Sequence, residues 1–264
     1  MEKYCIANAH AHIFPEKIAA KAVRSIGDFY DLHMGSSGLA DALLADGSAI
    51  GTEVYLVCST ATTPAQVESI NNFIIREVAL HPEFMGFATM HPGYPDIEAE
   101  IARAAAAGLR GVKLHPDFQR FNIDDPAALP IYRACCENGL AVLFHAGDPR
   151  YDYSAPARLA SVARRFPELL CMAAHFGGYG RWDDVGVYEG LENVVFDTSS
   201  ALFSLPPARA RELIGRFGPE KFLFGTDFPM WESEPELQRF LALQLDEKTQ
   251  KLILRENFRR IFGR

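Results

Sequence analysis

The feature that most constrains this chain is a rhythm of short apolar runs, each followed by a longer amphipathic one. The strand-like runs are Tyr4–His12, Val54–Ser59, Phe84–Met90, Gly111–His115, Ala141–His145, Leu170–His175, Val194–Ser199 and Phe222–Asp227. After the first connection they recur roughly 30 residues apart, the length of one strand–helix–strand unit. Parallel strands need a crossover of a dozen residues or more, usually a helix, so the rhythm predicts an α/β fold. Eight such units can close into a (β/α)8 barrel, whereas a doubly wound sheet would leave two open edges. A length of 264 residues fits one such barrel, and the expectation is a single domain over 1–264.

Helical periodicity marks Glu68–Ala79, Ile97–Ala107, Ala127–Asn138, Pro156–Phe166, Pro207–Phe217, Pro235–Leu245 and Glu247–Phe262. Gly108, Gly139 and Gly218 stand where three of these should stop, as glycines at helix C-termini do. The connection after the first strand is irregular. It holds Gly27–Gly38, rich in aromatics and glycine, and then a helix-like Leu39–Ala45. A loop leaving the C-terminal end of a barrel strand lies over the mouth, so this insertion reads as lid-like or as a variable surface loop.

Composition excludes several functions. A net charge of −8 provides no electrostatic footprint for nucleic acid or an anionic membrane. No run of about 18 apolar residues appears, so no spanning helix is expected, and the first residues lack the apolar core of a secretion signal. Five cysteines in irregular spacing, without a C-x-x-C pair, argue against a disulfide framework or a thiolate metal site. Free thiols in a reducing cytoplasm fit this pattern best.

The polar residues fall where a barrel enzyme needs them. His10, His12, His91, His115, His145 and His175 all stand at or just past predicted strand ends, leaving only His33 and His81 elsewhere. Side chains alternate along a strand, so Asn8, His10 and His12 share a face, as do Lys113 and His115. Two imidazoles on one strand face can chelate one cation. Lys113, His145, His175 and Asp227 are expected on the same face of the barrel. Neutral imidazoles plus one carboxylate suit zinc, and a position left open for water marks a catalytic site.

Taken together and in order, NAHAHIFP, GVKLHP, LFHAG, AAHFGG and FGTDFP resemble the amidohydrolase superfamily, in its amidohydrolase-related branch of small barrel enzymes. That branch includes aromatic-acid and aminocarboxymuconate-semialdehyde decarboxylases, lactone hydrolases and related hydratases, and the likeness spans nearly the whole chain. It implies an active-site divalent metal, commonly zinc, with His10, His12, His145 and Asp227 as ligands. It also implies that His175 binds or orients the reacting water, and that Asp227 can receive a proton from it. Two positions depart from or complicate the pattern. Asn8 stands where the family usually has aspartate. Lys113 matches a strand-4 lysine that some members carboxylate to bridge two metals, which leaves a binuclear site open; the single-metal reading is preferred.

Arg120 and Arg150 follow strands 4 and 5 and could clamp a substrate carboxylate, with Lys113 as a further cation, or simply face solvent. Asp197 could hold a histidine or an arginine, and His91 and His115 could line the pocket or cap a loop. Aromatics in these same loops, Tyr151, Tyr179, Trp182, Phe203 and Trp231 among them, suit a flat or cyclic small molecule. The leading expectation is a metal-dependent hydrolase of a lactone, ester or amide. A non-oxidative decarboxylase with the same metal is the alternative. A metal- or ligand-binding barrel without turnover is the reading from another class, and a nuclease is disfavoured by Lys113. Barrels of this branch are often homodimers, and no stripe in the sequence marks an interface.

Overall fold

The structure, a computed structural model, describes residues 5–264; the expected first residue of strand 1, Tyr4, lies outside them. Eight strands run in chain order through one sheet: β1 (Ile6–His12), β2 (Thr52–Cys58), β3 (Phe84–Thr89), β4 (Gly111–Leu114), β5 (Ala141–Phe144), β6 (Cys171–Ala173), β7 (Val194–Asp197) and β8 (Phe222–Leu223). Ala9 N–H donates to Phe224 O at 2.8 Å and His12 N–H to Phe228 O at 2.6 Å, so the first strand also bonds to the segment that continues the last. The fold is a (β/α)8 barrel.

The chain divides into two compact units, residues 1–57 with 197–264, and residues 58–196. In the first, β1 is followed by helices α1 (Glu16–Tyr30) and α2 (Ala40–Ile50), and the C-terminal half adds α8 (Pro207–Phe217), α9 (Ser233–Leu241), α10 (Glu247–Lys251) and α11 (Asn257–Phe262). The last two are joined by a π-helical turn, Leu252–Glu256. The connection after β1 therefore differs from expectation. Gly27 lies inside α1, and only 31–39 form a turn between the helices. Helix α1 turns one stripe inward, Ala19, Ala22, Val23, Ile26, Gly27 and Tyr30, of which Ala19 and Gly27 are buried and the rest half-buried. The turn is anchored at several points: Phe14 N–H donates to Gly38 O, Gly35 N–H to Met230 O and Ser36 N–H to Pro229 O. Gly38 has φ +75°, and a Cβ there would sit 2.8 Å from the Phe14 ring, which accounts for the glycine.

The second unit carries α3 (Val67–Leu80), α4 (Ile97–Ala106), the single-turn α5 (Pro116–Gln119), α6 (Leu129–Glu137) and α7 (Pro156–Arg165). Its strands pair in parallel, with Thr89 opposite Lys113, Lys113 opposite Leu143, Leu143 opposite Met172 and Ala173 opposite Phe196. They are buried on both faces, as strands of a parallel sheet under helices are. Among the described residues all five cysteines are free thiols, and no helix is long and apolar enough to cross a membrane.

Candidate metal and catalytic residues

Strands β3 to β8 are each shorter than the apolar run that announces them. His115, His145 and His175 lie one or two residues past the ends of β4, β5 and β6, and Asp227 lies on the segment that continues β8 alongside β1. Several site residues there take a left-handed backbone that side chains rarely adopt: His175 (φ 61°), Phe176 (56°), Ser200 (45°) and Asp227 (58°). Such conformations persist only where surrounding contacts hold them, and they gather at functional sites.

In the first unit, three donor atoms converge. His10 Nε2 lies 3.2 Å from His12 Nε2, and Asp227 Oδ1 lies 3.4 and 3.3 Å from the two imidazole nitrogens. Donor atoms bound to a tetrahedral cation at about 2.0–2.1 Å stand about 3.4 Å apart, so this triangle has the size of one tetrahedral face. His10 is oriented from behind. Its Nδ1 lies 2.9 Å from Asp197 Oδ2 and 3.0 Å from Ser199 Oγ, with Asp197 fully buried. Ser199 gives its hydroxyl proton to Asp197 Oδ1 at 2.5 Å, so both the serine oxygen and the carboxylate accept from the imidazole. That keeps the proton on Nδ1 and leaves the Nε2 lone pair facing His12 and Asp227, the arrangement metal-binding histidines use. Asp197 holds a histidine, one of the two roles open to it from sequence.

Asn8 does not face this triangle. Its amide donates to Thr226 Oγ1 at 2.8 Å, and its carbonyl accepts from the backbone N–H groups of His10 and Thr226. It fastens β1 to the segment carrying Asp227, a task for an uncharged side chain that both donates and accepts.

In the second unit, His145 Nδ1 and His175 Nε2 are 3.0 Å apart, both rings buried, with the Tyr179 ring 5.8 and 5.6 Å from the two imidazole centroids. The glycines of LFHAG and AAHFGG permit this approach. A Cβ on Gly147 would meet the Gly178 backbone at 2.6 Å, and Tyr179 N–H donates to Ala146 O there. The His175 turn is pinned by Trp182, which donates to the His175 carbonyl at 2.9 Å, and by Tyr188, which donates to that of Gly177 at 3.0 Å. Beside His145 lies Asp117, its Oδ2 3.6 Å from Nε2 and holding the Ser154 hydroxyl at 2.5 Å. Burial pushes the Asp117 carboxyl up to about 7.

His115, Asp117 and His145 bring donor atoms together, but the trio is poorly suited to a cation. His115 Nδ1 accepts from Phe118 N–H, so the neutral ring carries its proton on Nε2. Its ring is stacked between Phe118 at 3.7 Å and His145 at 4.0 Å. His115 caps α5, and His91 likewise caps a turn by accepting from Gly93 N–H at 3.0 Å.

Of the expected substrate-binding cations, Lys113 is fully buried on β4 and Arg120 is exposed at the end of α5. The Arg150 guanidinium is engaged. Nε and Nη2 donate to the two oxygens of buried Asp148 at 2.9 and 2.7 Å. Sequence reasoning missed Asp117, Asp148, Ser154, Ser200 and Gln119, whose amide joins the 61 and 90 carbonyls while its oxygen accepts from His115 N–H. Only the pairing parity of Ser199 with Asp197 hinted at this layer.

The fold and the imidazole–carboxylate triangle define a class, the barrel enzymes that mount catalysis on strand ends. The chain belongs to the amidohydrolase family, whose sequence pattern matches residues 7–264. Comparison with curated protein sequences gives no match. Among solved structures of the same fold is 5-carboxyvanillate decarboxylase from Sphingomonas paucimobilis, at 19% identity and TM-score 0.74, covering 98% of this chain and 99% of that one. A dihydroxybenzoic acid decarboxylase from Polaromonas sp. JS666, with bound manganese and the inhibitor 2-nitroresorcinol, aligns at 15% identity and TM-score 0.77, covering 98% and 97%. A protein described as a probable 2-pyrone-4,6-dicarboxylic acid hydrolase from Acinetobacter baumannii, with citric acid bound, aligns at 17% identity and TM-score 0.72, covering 98% and 99%.

Proposed function

We propose that this amidohydrolase-family enzyme is a metal-dependent hydrolase of a small cyclic or carboxylated compound carrying a lactone, ester or amide bond. The observation that supports it most is the triangle of His10 Nε2, His12 Nε2 and Asp227 Oδ1, with edges of 3.2–3.4 Å. These three residues would hold one divalent cation, with His145 the further ligand that the family pattern implies. When bound, such a cation lowers the pKa of water toward about 7 and polarises a carbonyl oxygen. Zinc suits the donor set, and manganese, present in a decarboxylase of the same fold, is its competitor. The side chains divide the remaining work. Asp227 turns Oδ1 toward the two imidazoles and can take up a proton. The His175 imidazole can shuttle a proton or donate to a substrate carbonyl. Lys113 and Arg120 remain candidates for binding substrate, as does Arg150 with whatever donors its pairing to Asp148 leaves.

The second reading, a non-oxidative decarboxylase, is favoured by the decarboxylases among the structures sharing this fold. The hydrolase is preferred because Arg150 already spends its two-pronged contact on Asp148. The test begins with metal content after dialysis against Zn2+ or Mn2+. Wild type should retain one equivalent, His12→Ala should lose most of it, and the thermal melt of that variant should stay cooperative. The loaded enzyme is then screened against lactones, esters, amides and aromatic carboxylic acids. Base consumption without carbon dioxide supports hydrolysis; carbon dioxide release from a carboxylated ring supports the second reading. Full metal retention by His12→Ala would reject the ligand set.

A further inference from the structure

Asp227 has a left-handed backbone, and its carboxylate is not free to turn. Oδ2 accepts the Ser200 hydroxyl at 2.6 Å, while Oδ1 faces His10 and His12. The Ser200 oxygen in turn accepts from Trp231 Nε1 at 2.9 Å. An indole N–H can only donate, so the serine proton has no use in that direction. Its competing acceptor is the Met230 sulfur at 3.4 Å, a weak one beside a carboxylate. The hydroxyl is thereby aimed at Asp227. Trp231 is itself fixed, stacked on Phe203 at 4.9 Å and lying under the Arg239 guanidinium, whose carbon is 4.8 Å from the ring centroid. Arg239 is paired with Glu236, which is buried.

We propose that Ser200 and Trp231 are positioning residues for Asp227, pinning one carboxylate oxygen so that the other stays presented to His10 and His12. The proposal rests on the reading of Asp227 as a metal ligand. Flipping or turning the carboxylate would require breaking a short, charge-assisted hydrogen bond whose donor cannot turn away without stranding the indole N–H. Groups that orient a ligand from behind commonly contribute tenfold to a hundredfold in metal affinity. The tryptophan also makes the arrangement observable. The chain has two tryptophans: Trp231 donates to the serine bonded to Asp227, and Trp182 donates to the His175 carbonyl.

The experiment measures Zn2+ affinity by competition with a chromophoric chelator, together with tryptophan emission during the titration. Wild type, Asp227→Ala, Ser200→Ala, Ser200→Gly and Trp231→Phe are compared. Asp227→Ala should lose most of the metal. Ser200→Ala and Ser200→Gly should each weaken Zn2+ binding by about 10- to 100-fold. Trp231→Phe should weaken it by a smaller factor and lose the Zn2+-dependent part of the emission change. Glycine accepts φ 45° without the strain alanine carries, so Ser200→Gly should melt no lower than Ser200→Ala. Weak binding in both variants at different melting temperatures supports positioning; affinity that instead follows the melting temperature overturns it. If Asp227→Ala loses metal while both Ser200 variants bind as wild type does, the proposal fails and the ligand set stands. If Asp227→Ala binds Zn2+ like wild type, the ligand reading fails and the proposal with it. Unchanged affinity in Trp231→Phe alone would remove Trp231 from the assignment.

Discussion

Asp197 Oδ2 lies 2.9 Å from His10 Nδ1, and both side chains are fully buried. The pair fixes which imidazole nitrogen carries the proton, and so which one faces His12 and Asp227. A buried carboxylate here also raises the basicity of the nitrogen left for a cation. Asp197→Asn keeps the shape, removes the charge and lets the amide turn its N–H toward Nδ1. Zn2+ affinity should fall by about 10- to 100-fold. Chelator competition measures this, and an unchanged affinity would show that His10 does not depend on Asp197 for its role.

His175 tests a different function. Its Nε2 contacts His145 Nδ1 at 3.0 Å, and its backbone is held in a left-handed turn by Trp182 and Tyr188 acting on neighbouring carbonyls. The turn does not depend on the imidazole, so His175→Asn should fold and retain metal. Turnover on a substrate found in the screen should fall by about 10²–10⁴, the usual effect of losing a general acid or base. Equal kcat values for wild type and His175→Asn would dismiss the proton-transfer role.

The eight strands and the polar residues ending them were legible because parallel strands are continuous apolar runs, and a histidine or aspartate closing such a run stands out. His10 and His12 followed from alternation alone, since residues two apart on a strand share a face. Helix α1 was overlooked although its period is present: Ala19, Ala22, Val23, Ile26 and Tyr30 recur at helical spacing, but the glycines and aromatics of 27–38 drew the stretch toward a loop. The supporting layer was not legible. Ser200 meets Asp227 across 27 positions, and Ser154 meets Asp117 across 37; no local pattern records either contact. The pairing of Arg150 with Asp148 was overlooked for another reason. The two are only two residues apart, yet whether an arginine turns back to its own loop or out toward a ligand depends on the burial of the aspartate, which sequence does not state.

Burial pushes the Glu236 carboxyl from its ordinary 4.5 up to about 7, although Arg239 draws it down. The native state therefore holds a proton that the unfolded chain has released between about pH 4.5 and 7. Folding stability from this group is fully present below that window and is lost as the pH rises through it. Glu236→Gln removes the titration while keeping the side-chain volume. The melting temperature of wild type, relative to Glu236→Gln, should decline from pH 5 to pH 8 and level off above. Parallel melting curves across that range would show that Glu236 stays ionised in the fold.

The choice between hydrolysis and decarboxylation turns on whether an arginine holds a substrate carboxylate. A decarboxylase must keep that carboxylate in place, and losing a charge-assisted two-pronged contact typically removes about 1.5–3 kcal/mol, tenfold or more in affinity. Arg150 donates through Nε and Nη2 to Asp148, whose side chain is fully buried, whereas the Arg150 side chain is 41% exposed. Removing the guanidinium outright would strand a buried charge and lower stability, which would confuse a binding assay. Arg150→Lys retains a positive charge for Asp148 but lacks the planar fork. Arg120→Ala carries no such penalty, because Arg120 is exposed. Aromatic and pyridine carboxylates are titrated as competitive inhibitors against wild type and both variants. The hydrolase reading expects inhibition constants within a few-fold of wild type throughout, with Arg150→Lys affecting the melting temperature more than binding. A tenfold to hundredfold weakening in either variant, accompanied by carbon dioxide release from a carboxylated ring, would assign that arginine to the substrate and make the enzyme a decarboxylase.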